Sequence, residues 1–251
     1  MKNQLFNRII SIMLVVVIFM TCSFTTVSAA SIDNLSTRFE EYDWVDLELR
    51  TIPRMNQRSY EDPYGDYGTI SSHGCGIVCV AMIASYMQDR FYDPVRMAEI
   101  FGDYNTKHGS LWILFQESAE VMGLPFEKSD SPNGEWYDWN KVIAALKNGQ
   151  PVVCLQSKGI FTGSGHYIVL TGITEDGKIM VNDPNGYNWT KNEAMTKGYN
   201  TGFTEAQIRQ SAVCYWIYGE KEVEQESTLD VFTQIMERAK LAGVGTRNQA
   251  N

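Results

Sequence analysis

The pattern of apolar and polar positions divides the chain into a helical first half and a β-rich second half. "CGIVCVAMIASYMQDR" (75–90) is apolar nearly all round, the pattern of a central, buried helix. "DPVRMAEIFG" (93–102) predicts a second helix, with Asp93 as cap, Pro94 at the first helical position and Gly102 as stop. "SLWILFQESAEVMG" predicts a third, beginning at Ser110, with Glu117 and Glu120 on its outer face and Gly123 at its end. "WNKVIAALKNG" predicts a fourth, with Lys147 in the last turn and Gly149 just beyond. There the period changes. "PVVCLQ" (151–156) is a short β-rich run, and "AVCYWIYG" (212–219) is another. Between them "HYIVLTGI" (166–173) and "KIMVNDP" (178–184), with a turn at 175–177, predict a hairpin. "TEAQIRQS" has Thr204 and Gln207 at capping-box spacing and predicts a short helix. Helices first and antiparallel strands second imply an α+β fold.

The flanks read differently. Lys2 and Arg8 precede an apolar stretch from Ile9 to about Phe24, which ends in the small residues "TTVSAA". Residues 1–30 therefore read as a secretory signal peptide, cleaved after Ala29 or after Ala30, and the mature chain is expected outside the cytoplasm. Residues 31–51 are a polar lead-in with scattered aromatics, expected as a short helix or an extended segment. "IPRMNQRSYEDPYGDYGTISSHG" (52–74) is punctuated by Pro53, Pro63, Gly65, Gly68 and Gly74 and predicts a long loop, held on the surface by its tyrosines. Loops of that length usually carry function. A domain is expected over 52–219. Residues 220–251 are acidic and then helical, with Leu229, Phe232, Ile235 and Met236 as an apolar stripe that reads as a helix docked on the domain.

Charge and cysteine usage narrow the partners. Loss of Lys2 and Arg8 with the leader takes the net charge from −9 to −11. That argues against nucleic acid or an anionic membrane surface as partner. Beyond the leader no apolar stretch is long enough to span a bilayer. Cys79, Cys154 and Cys214 lie inside apolar runs, where a free thiol packs as a small hydrophobe, and free thiols are expected. No Cys or His pair falls at a metal-ligand spacing, so neither metal nor cofactor is expected. Trp112, Trp136, Trp139, Tyr187 and Trp189 read as core and surface packing.

Cys75 stands apart from the other cysteines. It lies between Gly74 and Gly76 at the front of the apolar helix. Glycines there permit close approach of another group. The helix N-terminus behind it offers unpaired N–H groups and partial positive charge. A thiol so placed is pushed toward thiolate, the nucleophilic form. A thiolate nucleophile needs a base, and the chain has three histidines. His73 lies two residues ahead of Cys75, and His108 reads as a surface or capping residue. His166 opens a strand directly after the Gly-rich "FTGSG", rigid on one side and open on the other. In the predicted hairpin the end of "KIMVNDP" lies beside His166, so either Asp183 or Asn182 could accept a hydrogen bond from the imidazole and fix its tautomer.

Nucleophile on a buried helix, then base and acid on paired strands, is the layout of papain-like cysteine peptidases. "YGTISSHGCGIVCVAMIASYM" followed by "GHYIVLTGITEDGKIMVNDPNG" resembles the peptidase family thirty-nine branch of that superfamily, the bacteriocin-processing-peptidase-like group, from about Ile52 to Tyr218. The resemblance implies a papain-like fold, its catalytic helix packed on an antiparallel sheet, acting on a peptide or protein substrate. It implies Cys75 as nucleophile, His166 as general base, Asp183 as orienting acid and Gln57, in "IPRMNQRSY", as an oxyanion-hole donor. Ile77 and Val78 depart from the Pro and small hydroxyl residue frequent in that group, as core substitutions. Double-glycine leader cleavage, the work of members fused to exporters, is not carried over to a chain with its own signal peptide. Two other readings share the fold: an amide hydrolase acting on cell-wall peptides, and a catalytically silent binding module.

Overall fold

The structure is a computed structural model that describes residues 29–127, 138–186 and 193–220. Most of the expected signal peptide (residues 1–28), the helix expected beyond Glu220, and Trp136, Tyr187 and Trp189 lie outside the described residues. The lead-in is helical as α1 (Ala29–Glu40), followed by the short strand β1 (Val45–Asp46), which pairs with β2 (Arg90–Phe91). The segment read as a long loop holds a 3₁₀ turn at Gln57–Ser59 and a short helix α2 (Ile70–His73). Next come α3 (Cys75–Met87) and α4 (Pro94–Ile100), the latter capped by Asp93, whose side chain accepts from the Val95 N–H. A tight antiparallel ladder joins β3 (Asn105–Thr106) to β4 (Gly109–Ser110), and α5 (Leu114–Val121) and α6 (Trp139–Lys147) follow.

The second half builds one antiparallel sheet from β5 (Val152–Gln156), β6 (His166–Ile173), β7 (Ile179–Asn182) and β8 (Ala212–Ile217), in the order β7-β6-β5-β8. The chain is α+β, as its pattern predicts. The hairpin closes through the Thr174 N–H on Lys178 O and the Gly177 N–H on Thr174 O. Between β7 and β8 lie α7 (Glu193–Thr201), which no periodicity announced, and α8 (Glu205–Arg209), whose Thr204–Gln207 capping box forms as expected. Gly198 sits inside α7 because the Phe203 ring packs there; a Cβ would lie 2.3 Å from Phe203 Cε1.

Both faces of the sheet are covered. Val153, Leu155, Tyr167, Val169, Cys214 and Trp216 pack with α3 in one core. Val152, Cys154, Ile168, Leu170, Val181 and Tyr215 pack with α6 to α8 in the other. That is why β5 reads as an unbroken apolar run without alternation: all five of its residues are buried. Every residue of α3 from Gly76 to Ser85 is buried too, as expected of a helix apolar all round.

Two sequence expectations are corrected. Ser110 does not open a helix: it belongs to β4, and α5 begins at Leu114. Long-range bonds hold Ser110, with Tyr64 OH at 3.1 Å from its Oγ and the Tyr167 OH donating to its carbonyl at 3.1 Å. Tyr64 itself is wholly buried rather than a surface prop of the 52–74 segment. Trp139 is in the second core, and Trp112 packs half-buried against the first. No helix among the described residues is long and apolar enough to cross a membrane.

Ser110 also explains one glycine. A Cβ on Gly76 would lie 2.5 Å from Ser110 Oγ and 2.6 Å from Ser110 Cβ. Gly76→Ala is expected to destabilise the fold by about 1–3 kcal/mol through this overlap. Thermal unfolding reads the loss, and adding Ser110→Gly should restore much of it.

Candidate active site

Gly74 ends α2 and begins α3, so Cys75 is the first residue of the buried helix. Neither flanking glycine has a left-handed backbone; Gly74 has φ −85°. Each is required for space instead. A Cβ on Gly74 would lie 2.5 Å from the Ile70 carbonyl oxygen, and Gly76 faces Ser110. Cys75 is half-buried, while Cys79, Cys154 and Cys214 are buried, and all four are free thiols.

His166 is the first residue of β6, where its backbone stands opposite Gln156 of β5. Gln156 is buried and accepts a 2.7 Å hydrogen bond from the Ser211 hydroxyl, which steadies that rung. The preceding Gly163–Gly165 stretch is exposed. His166 Nε2–H donates to Asp183 Oδ1 at 2.6 Å, with both side chains almost entirely out of solvent. Nδ1 is not used by Asp183, and Cys75 is near enough to the ring for thiol and imidazole to shift each other's charge state. His73 turns toward Ser72, its Nδ1 2.8 Å from that hydroxyl, and His108 is exposed.

The choice between Asp183 and Asn182 is made by register. Ile173 pairs with Ile179 and Gly172 with Met180, but Leu170 pairs with Val181 and Val169 with Asn182. The one-residue shift leaves Thr171 as a bulge. Directly paired residues share a face, and faces alternate along a strand. Asn182 therefore projects with Val169, and Asp183 falls on the face of His166. Without the bulge Leu170 would pair with Asn182, and Asn182 would take the His166 face.

Asn182 does other work. Its Nδ2 donates to the carbonyls of Ile52 (2.9 Å) and Pro53 (3.1 Å), and its Oδ1 accepts from Arg54 Nε at 3.2 Å. The Gln57 N–H donates to Pro184 O at 2.8 Å. The 52–57 segment is thus tied to the turn that carries Asp183. Gln57 is buried, and its Nε2 donates to the carbonyl of Ser71 (2.9 Å), four positions before Cys75. That bond uses one Nε2 hydrogen and leaves the second.

One participant escaped sequence reasoning. The Tyr199 hydroxyl donates to Asp183 Oδ2 at 2.6 Å, and the Asn185 N–H donates to Oδ1 at 2.7 Å. Tyr199 belongs to α7, the helix without a sequence signal, so only the fold brings it here.

Electrostatics favour a charged pair. Burial opposes the Cys75 thiolate, but the His166 hydrogen bond and charge and the backbone amides of Tyr167 and Gly76 outweigh it, and the thiol is held below its usual value. Burial likewise opposes the imidazolium, yet the charge and hydrogen bond of Asp183, with Cys75, push His166 up to about 10. Burial drives the other thiols the opposite way, Cys154 up to about 12 and Cys79 and Cys214 well above their usual value. The arrangement can therefore present a thiolate beside an imidazolium, with amide donors close by. Among the described residues no cluster of three or more His, Cys, Asp or Glu is gathered for a metal ion.

Comparison with known proteins gives one family. A family model described as "Peptidase_C39 like family" matches residues 49–212, from just before the 52–57 segment to the first residue of β8. No curated protein matches the chain.

The lowered thiol and the raised imidazole fix the sign of a pH profile. The ion pair persists from below the usual thiol value up to about 10, where His166 loses its proton. Iodoacetamide at mildly acidic pH is expected to alkylate Cys75 at least about tenfold faster than Cys79, Cys154 or Cys214 in the folded protein. His166→Ala should abolish that advantage. Mass mapping of the adducts reads both.

Proposed function

The chain belongs to the peptidase C39-like family, and from that premise we propose that it is an exported cysteine peptidase working through Cys75, His166 and Asp183. The observation that carries the reading is the 2.6 Å bond of His166 Nε2 to the buried Asp183 carboxylate, which leaves Nδ1 free of that carboxylate while the half-buried Cys75 thiol is held down by the same ring. The leader pattern of residues 1–30 supports export, and a peptide or protein is the substrate.

In the acylation step the Cys75 thiolate attacks the scissile carbonyl carbon. A C–S bond forms, and the carbonyl electron pair moves onto oxygen. The Cys75 N–H and the remaining Gln57 Nε2–H are the donors for that oxyanion. Its collapse breaks the C–N bond while the imidazolium of His166 gives its proton to the leaving amine. The product is a thioester on Cys75. In deacylation neutral His166 takes a proton from water, hydroxide adds to the thioester carbonyl, and collapse releases the acid and the thiolate. Asp183 keeps the proton on Nε2, so Nδ1 faces the reacting atoms throughout.

Digestion of a peptide library by wild type and by Cys75→Ala, side by side, tests the assignment. Cleavage by the wild type alone is expected; equal cleavage, or none by either, would overturn it. On a peptide so found, Gln57→Ala is expected to lower kcat by about 10²–10³-fold, with the smaller change in KM, as for loss of one oxyanion donor.

A further inference from the structure

Asp183 is more enclosed than an orienting carboxylate requires. Its side chain has no solvent exposure, and three donors account for its two oxygens. Oδ1 takes the His166 Nε2–H and the Asn185 N–H, and Oδ2 takes the Tyr199 hydroxyl. Two of those donors come from the strand pair or its turn. The third comes from α7, and the chain has made room for it. A Cβ on Gly186 would lie 3.0 Å from Tyr199 Cζ and 3.1 Å from Asp183 Cβ, tighter than ordinary Cβ contacts, so that the pair would have to give by a few tenths of an ångström. The back of Tyr199 is held by Phe203, with ring centroids 5.3 Å apart, and its carbonyl accepts from Arg54 at 2.6 Å. Asp183 and Tyr199 both line a pocket of about 180 Å³, together with Arg54, Val181 and Gly186, and the Asp183 side chain is nevertheless fully out of solvent.

We propose that Tyr199 is a fourth member of the site, a positioning residue that fixes the Asp183 carboxylate with Oδ1 toward His166 and keeps water from its second oxygen. The inference rests on the peptidase reading above. Without the hydroxyl, Oδ2 becomes a buried anionic acceptor with no donor, and it can be relieved in two ways. The carboxylate turns to another donor, or is hydrated from the pocket. Each weakens the negative charge that faces Nε2. The imidazolium then loses its support, and the window in which thiolate and imidazolium coexist narrows from its alkaline side.

The ionisable groups around this line come from four elements. Cys75 and Cys79 face it from α3, Asp183 from the end of β7, Tyr199 from α7 and Arg54 from the segment before the 3₁₀ turn. Tyr64 and Tyr167, both pushed up by burial, stay neutral near Cys75. Arg54 is engaged by Asn182 and the Tyr199 carbonyl. The response on removing the Tyr199 hydroxyl is therefore assigned to Asp183 and His166.

Tyr199→Phe keeps the ring and its contact with Phe203, so the fold is expected to survive; circular dichroism and thermal unfolding check this. The probe is the rate of Cys75 alkylation by iodoacetamide across pH, which needs no substrate. In the variant the step that reports His166 deprotonation is expected to move down by about one pH unit, and alkylation at mildly acidic pH to fall several-fold. Gly186→Ala, which retains the hydroxyl but crowds it away from Asp183, should move the same step the same way, and the double variant should add little to either. A wild-type profile and unchanged alkaline step in a folded Tyr199→Phe would overturn the proposal, as would a lower melting temperature with no change in the profile. If wild-type Cys75 shows no preferential alkylation, the peptidase reading fails instead, before Tyr199 is at issue.

Discussion

A buried hydrogen bond between His166 and Asp183 is the constraint to which the rest of the site conforms. A carboxylate with no solvent exposure is costly unless its lone pairs are met by donors. Here an imidazole, a backbone N–H and a phenol meet them. Those donors arrive from a strand start, a turn and a helix well separated in sequence. The bond therefore exists only when the sheet, the turn after β7 and α7 are all assembled. In return it fixes which imidazole nitrogen carries the proton and which is free to face sulfur.

Cys75 meets that imidazole because of where a buried helix ends. The chain places four thiols in the folded domain, and three are sealed in the cores, where burial raises them out of reach of ionisation at neutral pH. The fourth stands at the border of the core, at the first residue of α3. Burial raises it as well, but hydrogen bonds and the charge of His166 reverse the sign. Residue type is constant across the four, so the difference is one of position. Gly74 and Gly76 secure that position by space rather than by unusual backbone angles.

The sheet joins these parts at one end. β6 starts with His166, β7 finishes at Asn182 and β5 finishes at Gln156, all at the same end of the antiparallel sheet. Asn182, facing the other way from Asp183, fastens the segment of Ile52, Pro53 and Arg54 to that end, and the Gln57 N–H reaches Pro184. Adjacent residues of one strand end thus serve two purposes, one toward the imidazole and one toward the loop that carries Gln57. Helices on both faces keep this end rigid and supply, from the second face, the hydroxyl of Tyr199.

The amino-acid sequence by itself determined what depends on local pattern. The all-round apolar run announced α3 and so singled out Cys75 at its border. The strand run after a Gly-rich stretch singled out His166, and the cysteines inside apolar runs announced free buried thiols. The α+β order, the Thr204–Gln207 capping box and the β6–β7 hairpin were legible for the same reason, since each rests on spacings within a few residues. Tertiary structure alone decided what depends on pairing across the chain. A single bulged residue, Thr171, exchanges the faces of Asn182 and Asp183, and nothing local marks it because the sheet is buried on both sides and carries no alternation to count. Ser110 is drawn out of a helix by Tyr64 and Tyr167, and Tyr199 is delivered by a helix whose own spacing predicts nothing. Periodicity records which face a residue prefers to bury; only the register of strands and the packing of distant elements decide which partner it meets there.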